Sequence, residues 1–266
     1  MDNALRTGLD VGSTTVKIAL LDGKGEILFS DYRRHNADIT ITVMLGELKD
    51  GIGETPLRIT VTGSAGLGLS ERFDLPFQQE VVASAELVKR RYPGVRTLID
   101  VGGEDSKMIF FDSAMRPDIR MNGNCAGGTG AFIDHMATLL DVEVSDLDFN
   151  DTGTTEIYTI ASRCGVFAKT DVQNLLSRDV APDDIARSVF HAVSVQTIST
   201  LSRGFDPDPK VLFCGGPLTF LPQLRKAYME NMDLEEEDVV MPDRPELVPA
   251  LTEHAAGRFL ATVRAV

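Results

Sequence analysis

Two stretches of the chain place an aspartate, glycines, small polar or acidic residues and a lysine at matched spacing. They are Asp10-Val-Gly-Ser-Thr-Thr-Val-Lys17 and Asp100-Val-Gly-Gly-Glu-Asp-Ser-Lys107. Such a set suits a polyphosphate. Gly12, Gly102 and Gly103 let the backbone approach a phosphate closely, while Ser13, Thr14 and Thr15 offer hydroxyls and amides. Lys17 and Lys107 bring positive charge. Asp10 and Asp100, each at a strand end, are suited to Mg²⁺, held through water because this ion dehydrates reluctantly. Glu104 and Asp105 are the side chains of the second stretch that could serve attack on a γ-phosphate. Further on, an apolar run ends in Cys214-Gly215-Gly216, a turn at which backbone could approach a flat adenine or its ribose.

The elements needed to hold these residues are readable on either side. Each stretch lies between two β-rich runs, residues 7–21 and 97–111, and so reads as the tip of a β-hairpin used twice. A duplicated hairpin argues for two related lobes facing one another across a nucleotide cleft. The expected division is an N-terminal lobe, 1–94, joined by a C-terminal helix over 247–266, and a second lobe, 95–246. A strand is expected at 58–62, ending at Gly63, and helices at 80–91, 129–140, 165–176, 182–201 and 219–232. A short strand at 239–241 precedes a closing helix from 246 to about 262, and 235–238 reads as an acidic, solvated loop. Strands alternate with helices, which makes the class α/β.

Composition narrows the functions. With 26 basic against 40 acidic side chains the formal charge is -14, and no basic stripe interleaved with aromatics appears, so nucleic acid is not an expected partner. No apolar run reaches the roughly 18 residues of a membrane span, and the start carries no secretory leader; the expectation is a cytoplasmic protein. The Gly-x-x-x-x-Gly-Lys-Ser/Thr loop and the dinucleotide-binding glycine pattern are both missing. Cys125, Cys164 and Cys214 are too few for a disulfide scaffold and form no Cys-x-x-Cys; each alone reads as a small buried residue.

The ordered set Gly8-Leu-Asp-Val-Gly-Ser-Thr14, Asp100-Val-Gly-Gly-Glu-Asp105 and Phe213-Cys-Gly-Gly216 resembles the two phosphate motifs and the adenosine motif of the acetate kinase/Hsc70/actin superfamily. Within it, Met121-Asn-Gly-Asn-Cys-Ala-Gly-Gly-Thr-Gly130 and Ser162-Arg-Cys-Gly-Val-Phe-Ala-Lys-Thr-Asp171 resemble the cysteine segments of the BadF/BadG/BcrA/BcrD-type ATPases, the activators (component A) of 2-hydroxyacyl-CoA dehydratases. The resemblance implies two ribonuclease-H-like lobes with ATP or ADP and Mg²⁺ between them. It also implies a homodimer in which Cys125 and Cys164 of each copy hold one [4Fe–4S] cluster, a ferredoxin or flavodoxin upstream, and a dehydratase as electron acceptor. A cluster needs four thiolates, which two-fold symmetry would complete. Both cysteines precede a helix, whose N-terminus favours an anionic group. Gly127, Gly128, Gly130 and Gly165 would leave room for the core of the cluster, and Gly127, Gly128 and Thr129 also read as a glycine-rich phosphate loop. Cys214 matches no cluster ligand.

The chain departs from the family in two places: Glu104 stands where Gln is common, and Pro217-Leu218 follows the adenosine glycines. Two other readings stay open on the sequence: a sugar kinase of the N-acetylglucosamine kinase type, with Asp100 as base, and a nucleotide-sensing domain of a larger fusion.

Overall fold

A computed structural model describes residues 5–34, 38–53, 55–122, 126–147, 156–205 and 207–251. Cys125 lies outside this set, as do residues 252–266, on which most of the expected closing helix falls. The chain divides into two compact units, one of residues up to Pro93 with the returning chain from Leu247, the other Gly94–Glu246.

In the first unit, β1 (Leu5–Val11) and β2 (Thr15–Leu21) form the first hairpin, and β3 (Ile27–Arg34) continues it. Helix α1 (Asp38–Ile52) crosses to β4 (Leu57–Thr62), followed by α2 (Gly66–Phe73) and α3 (Glu80–Arg91). The sheet order is β3-β2-β1-β4, antiparallel except for the parallel β1–β4 pair. Leu9, Val11, Val16, Ile18 and Leu20 of the hairpin pack against Ile41, Met44 and Leu48 of α1. The spacing of those three on α1 is one helical face.

The second unit repeats the plan. β5 (Thr97–Val101) and β6 (Ser106–Phe111) make the second hairpin and β7 (Pro117–Asn122) continues it. Then come α4 (Gly130–Leu140), α5 (Gly165–Ser177), α6 (Pro182–Leu201) and β8 (Val211–Cys214). After these follow α7 (Gly216–Phe220), α8 (Pro222–Asn231) and β9 (Val239–Val240). The order is β7-β6-β5-β8-β9, with β8 parallel to β5 as β4 is to β1. Phe132, Met136, Val172, Val189, Phe190, Phe213 and Tyr228 belong to its core. Helix α6 starts on Pro182 with Asp183 and Asp184 in its first turn, where carboxylates favour the positive helix end.

Several boundaries differ from expectation. The helix expected over 219–232 begins at Gly216 and breaks at Leu221, because Pro222 has no N–H for the ladder and starts a new helix as its first residue. Residues 236–238 form a 3-10 turn closed by a capping box from Glu235 and Asp238, not an open loop. The strand at 239–241 is two residues long, and the segment from 245 begins as a 3-10 helix, Pro245–Ala250, with Pro249 inside it. Helix α4 begins one residue later than expected, at Gly130.

Candidate nucleotide site and cysteine segments

Both hairpins bring their expected residues together, and in the same register. Asp10 lies opposite Lys17, and Asp100 opposite Lys107. The turns close alike: the Gly12 N–H donates to the Thr15 carbonyl at 2.9 Å, and the Gly102 N–H to the Asp105 carbonyl at 2.9 Å. A Cβ at Gly102 would stand 2.5 Å from Asp105 Oδ1 and 3.0 Å from the Asp105 carbonyl, so a larger residue would have to displace the Asp105 side chain. Gly12, Ser13 and Thr14 form the first tip with Ser13 exposed, and Glu104 is exposed at the second.

The lysines are engaged with carboxylates. Lys17 Nζ donates to Asp10 Oδ2 at 2.7 Å, and the Asp10 side chain is 1% exposed. Lys107 Nζ lies 2.9 Å from Asp105 Oδ1 and 3.7 Å from Asp100 Oδ2, with Lys107 and Asp100 nearly sealed from water. Lys17, expected to bring positive charge to the phosphates, thus has a carboxylate partner in Asp10. The carboxylates are oxygen donors of the kind a hard Mg²⁺ takes, and each hairpin presents one at the end of its first strand. Among the described residues, no group of three His, Cys, Asp or Glu side chains is assembled to hold a metal ion.

Gly63 does more than end a strand. It follows β4, whose Thr62 lies opposite Asp10; Gly215 follows β8, whose Cys214 lies opposite Asp100. Both have left-handed backbones, φ 92° and 89°. A Cβ at Gly63 would collide with Asp10 Oδ1 and the Val11 carbonyl, and one at Gly215 with Asp100 Oδ1 and the Val101 carbonyl. The signal was a glycine directly after each apolar parallel strand, but its partner across the sheet is visible only in the fold.

In the second unit, several segments converge on the hairpin. The N–H groups of Gly130 and Ala131 donate to the carbonyls of Gly102 (2.9 Å) and Gly103 (2.7 Å). A Cβ on Gly130 would meet Pro217 Cγ at 3.0 Å and Gly102 O at 3.1 Å, so the hairpin, α4 and the Gly215-Gly216 turn meet there. Thr129 Oγ1 donates to the Ala126 carbonyl at 2.6 Å, and Ser106 Oγ and Thr197 Oγ1 both donate to the Gly128 carbonyl. Gly128 has φ 83°, and a side chain there would press on Thr197 Oγ1 at 2.6 Å. These contacts give Gly127–Gly130 a packing reason for glycine beside the expected one.

Cys164 is the N-cap of α5 and half-buried. Three contacts hold the residues before it: Asp171 Oδ2 accepts from the Ala161 N–H at 2.9 Å, Ser162 Oγ donates to Gln196 Oε1 at 3.2 Å, and Gly127 lies against the Ser162 carbonyl and Arg163. Gly127 is two residues after Cys125, so the two cysteine segments adjoin. Gly165 has open space around it, and Cys214 is fully buried in β8. The described part of this set, a half-buried thiol at a helix N-terminus beside residues of the first cysteine segment, fits a thiolate ligand of a cluster.

The BadF/BadG/BcrA/BcrD ATPase family model matches residues 7–251. The 2-hydroxyisocaproyl-CoA dehydratase activator of Clostridioides difficile is 30% identical over 249 residues, covering 92% of this chain and 91% of its own length. Two solved activators have the same fold. That of the 2-hydroxyisocaproyl-CoA dehydratase from Clostridium difficile with bound ADPNP has a TM-score of 0.80 at 28% identity, covering 93% of this chain and 92% of its own. Component A of the Acidaminococcus fermentans (R)-2-hydroxyglutaryl-CoA dehydratase has a TM-score of 0.83 at 26%, covering 94% and 95%. With the duplicated carboxylate hairpins, the paired glycine turns and a match along nearly all its length, the chain belongs to the BadF/BadG/BcrA/BcrD ATPase family.

Proposed function

We propose that the chain is an ATP-dependent activator: it binds ATP with Mg²⁺, hydrolyses it, and delivers a low-potential electron to a 2-hydroxyacyl-CoA dehydratase-type partner. The observation that carries this reading is the unbroken run of contacts from Gly102 and Gly103 through Gly130 and Gly127 to the segment ending in Cys164. It joins a phosphate-type hairpin to a candidate cluster ligand. Relatives named as dehydratase activators, one solved with ADPNP, support its nucleotide end and the dehydratase partner.

On this reading the amides of Gly12–Thr15 and of Gly102 and Gly103 receive phosphate oxygens. Asp10 and Asp100 hold water around Mg²⁺, and Lys17 and Lys107, beside them, orient these carboxylates. Glu104 and Asp105 are the side chains available to orient an attacking water; Asp105 is already tied to Lys107, which leaves Glu104 as the freer of the two. Gly215 and Gly216 admit the nucleoside. Cys125 and Cys164 of two copies would hold the [4Fe–4S] cluster, which supplies one-electron chemistry when bound. A change in the position of the second hairpin on nucleotide exchange would be felt by the Cys164 loop through Gly130 and Gly127. A ferredoxin or flavodoxin would restore the electron.

Anaerobic reconstitution with iron and sulfide, followed by iron content and visible spectrum, tests the proposal. About four irons per dimer, lost in both Cys125→Ser and Cys164→Ser, is the expected result. ATP bound with no iron above background overturns the activator reading and favours a phosphoryl-transfer activity instead.

A further inference from the structure

Glu246 is the last residue of the second unit, and its side chain is 4% exposed. One carboxylate oxygen, Oε1, accepts from Arg244 Nε at 2.6 Å. The other, Oε2, is buried with no hydrogen-bond partner among the described residues. A buried carboxylate with half its acceptor capacity unused is costly, and such groups call for an explanation. The location offers one. The Pro245 carbonyl accepts the Gly215 N–H at 3.3 Å, which puts Glu246 one residue from the turn where the nucleoside is placed above. That turn has no room for a side chain, its Cβ position being filled by Asp100 and Val101.

We propose that Glu246 Oε2 accepts a hydrogen bond from the nucleoside portion of the bound nucleotide. The sign of the charge selects the donor. Phosphate oxygens are acceptors and would be repelled, whereas the ribose hydroxyls and the adenine amino group are donors that a carboxylate takes strongly. Arg244, with its side chain 41% exposed, holds Oε1 and so fixes the carboxylate in one orientation. The inference rests on the nucleotide reading and adds a specificity residue to it. A site built to accept a donor rejects the analogue lacking it, because the buried oxygen is then left unpaired.

Binding of MgATP, 2′-deoxyATP, 3′-deoxyATP and purine riboside triphosphate to the full chain is compared for wild type, Glu246→Gln and Glu246→Asp. The wild type is expected to bind one or more of the three analogues about 10- to 100-fold more weakly than ATP, and that analogue names the donor. In Glu246→Gln the affinity for ATP should fall toward that of the discriminated analogue, with the urea midpoint little changed. Equal discrimination in wild type and both variants overturns the inference and leaves nucleotide binding intact. A loss of all four nucleotides alike with a lowered urea midpoint also overturns it, in favour of a purely structural ion pair. A wild type that binds no nucleotide overturns the nucleotide reading itself.

Discussion

Gly63 stands to Asp10 as Gly215 stands to Asp100. Each glycine follows the strand that runs parallel to the aspartate's strand, and each leaves the space that a carboxylate oxygen fills. The two units thus repeat a contact between residues far apart in sequence, as well as a hairpin. Gly63→Ala and Gly215→Ala should each cost about 2–4 kcal/mol in urea unfolding, from left-handed strain together with collision against backbone. Gly23→Ala and Gly94→Ala, where nothing lies within 4 Å, are the matched controls and should be close to neutral.

Lys107 lies between Asp100 and Asp105 with almost no exposure. Lys107→Met should therefore destabilise by about 3 kcal/mol, since removing one member of a buried ion pair leaves charge uncompensated. Arg116→Ala breaks the solvated pair with Asp112 and should cost far less. Comparing the two unfolding midpoints decides whether the second hairpin is held by its lysine.

Asp100→Asn should lower ATP hydrolysis at saturating Mg²⁺ by about 100-fold or more, the scale lost when charge stabilisation at a reacting centre is removed. Nucleotide binding measured without Mg²⁺ should change little. Equal losses in both would assign Asp100 to the fold instead of the metal.

Gly127→Ala should alter Cys164 without touching it. The new methyl would drive into the Ser162 carbonyl, two residues before the thiol. The rate of Cys164 alkylation is expected to change severalfold, the direction showing whether the loop opens or closes, while Gly165→Ala, in open space, should leave it unchanged. Equal rates in wild type and Gly127→Ala would separate the two cysteine segments.

The outer hairpin turns repeat as well, and they give a pH dependence. Asp22 Oδ1 accepts from the N–H groups of Lys24 and Glu26, and Asp112 Oδ1 from those of Ala114 and Arg116. The Glu26 amide foremost, and for Asp112 the Arg116 amide and then its guanidinium, hold each carboxyl below its ordinary value of 3.8. A depressed folded value means the unfolded chain binds more protons in that window. The stabilisation is therefore full above the ordinary value and lost as pH falls through the depressed ones. Asp22→Asn and Asp112→Asn should flatten the acid limb of stability against pH, and NMR titration of the two carboxyls should show both below 3.8.

What could be read from the sequence was local. The two hairpins were visible because Asp-x-Gly sits between β-rich runs, and α3 and α6 because Pro93 and Pro182 mark an end and a start. Helix α1 was not visible: Ile39-Thr40-Ile41-Thr42-Val43 is β-branched, and only packing of Ile41, Met44 and Leu48 on the sheet overrides that preference. Strand β7 was hidden by Asp118 and Arg120, charges that suit a sheet edge more than a strand pattern. At the site, residue types were legible, whereas the pairing of Lys17 with Asp10, the meeting of Gly130 with Pro217 and the buried Glu246 arise from contacts between distant segments.

The seam from Gly102 and Gly103 to Ser162 is made largely of main chain: amide to carbonyl at Gly130 and Ala131, glycine against carbonyl at Gly127. Side chains can absorb a displacement by changing rotamer, and main chain in direct contact cannot. The seam therefore behaves as a stiff linkage, and enlarging any of its glycines would act as a shim that resets the rest position of the Cys164 loop.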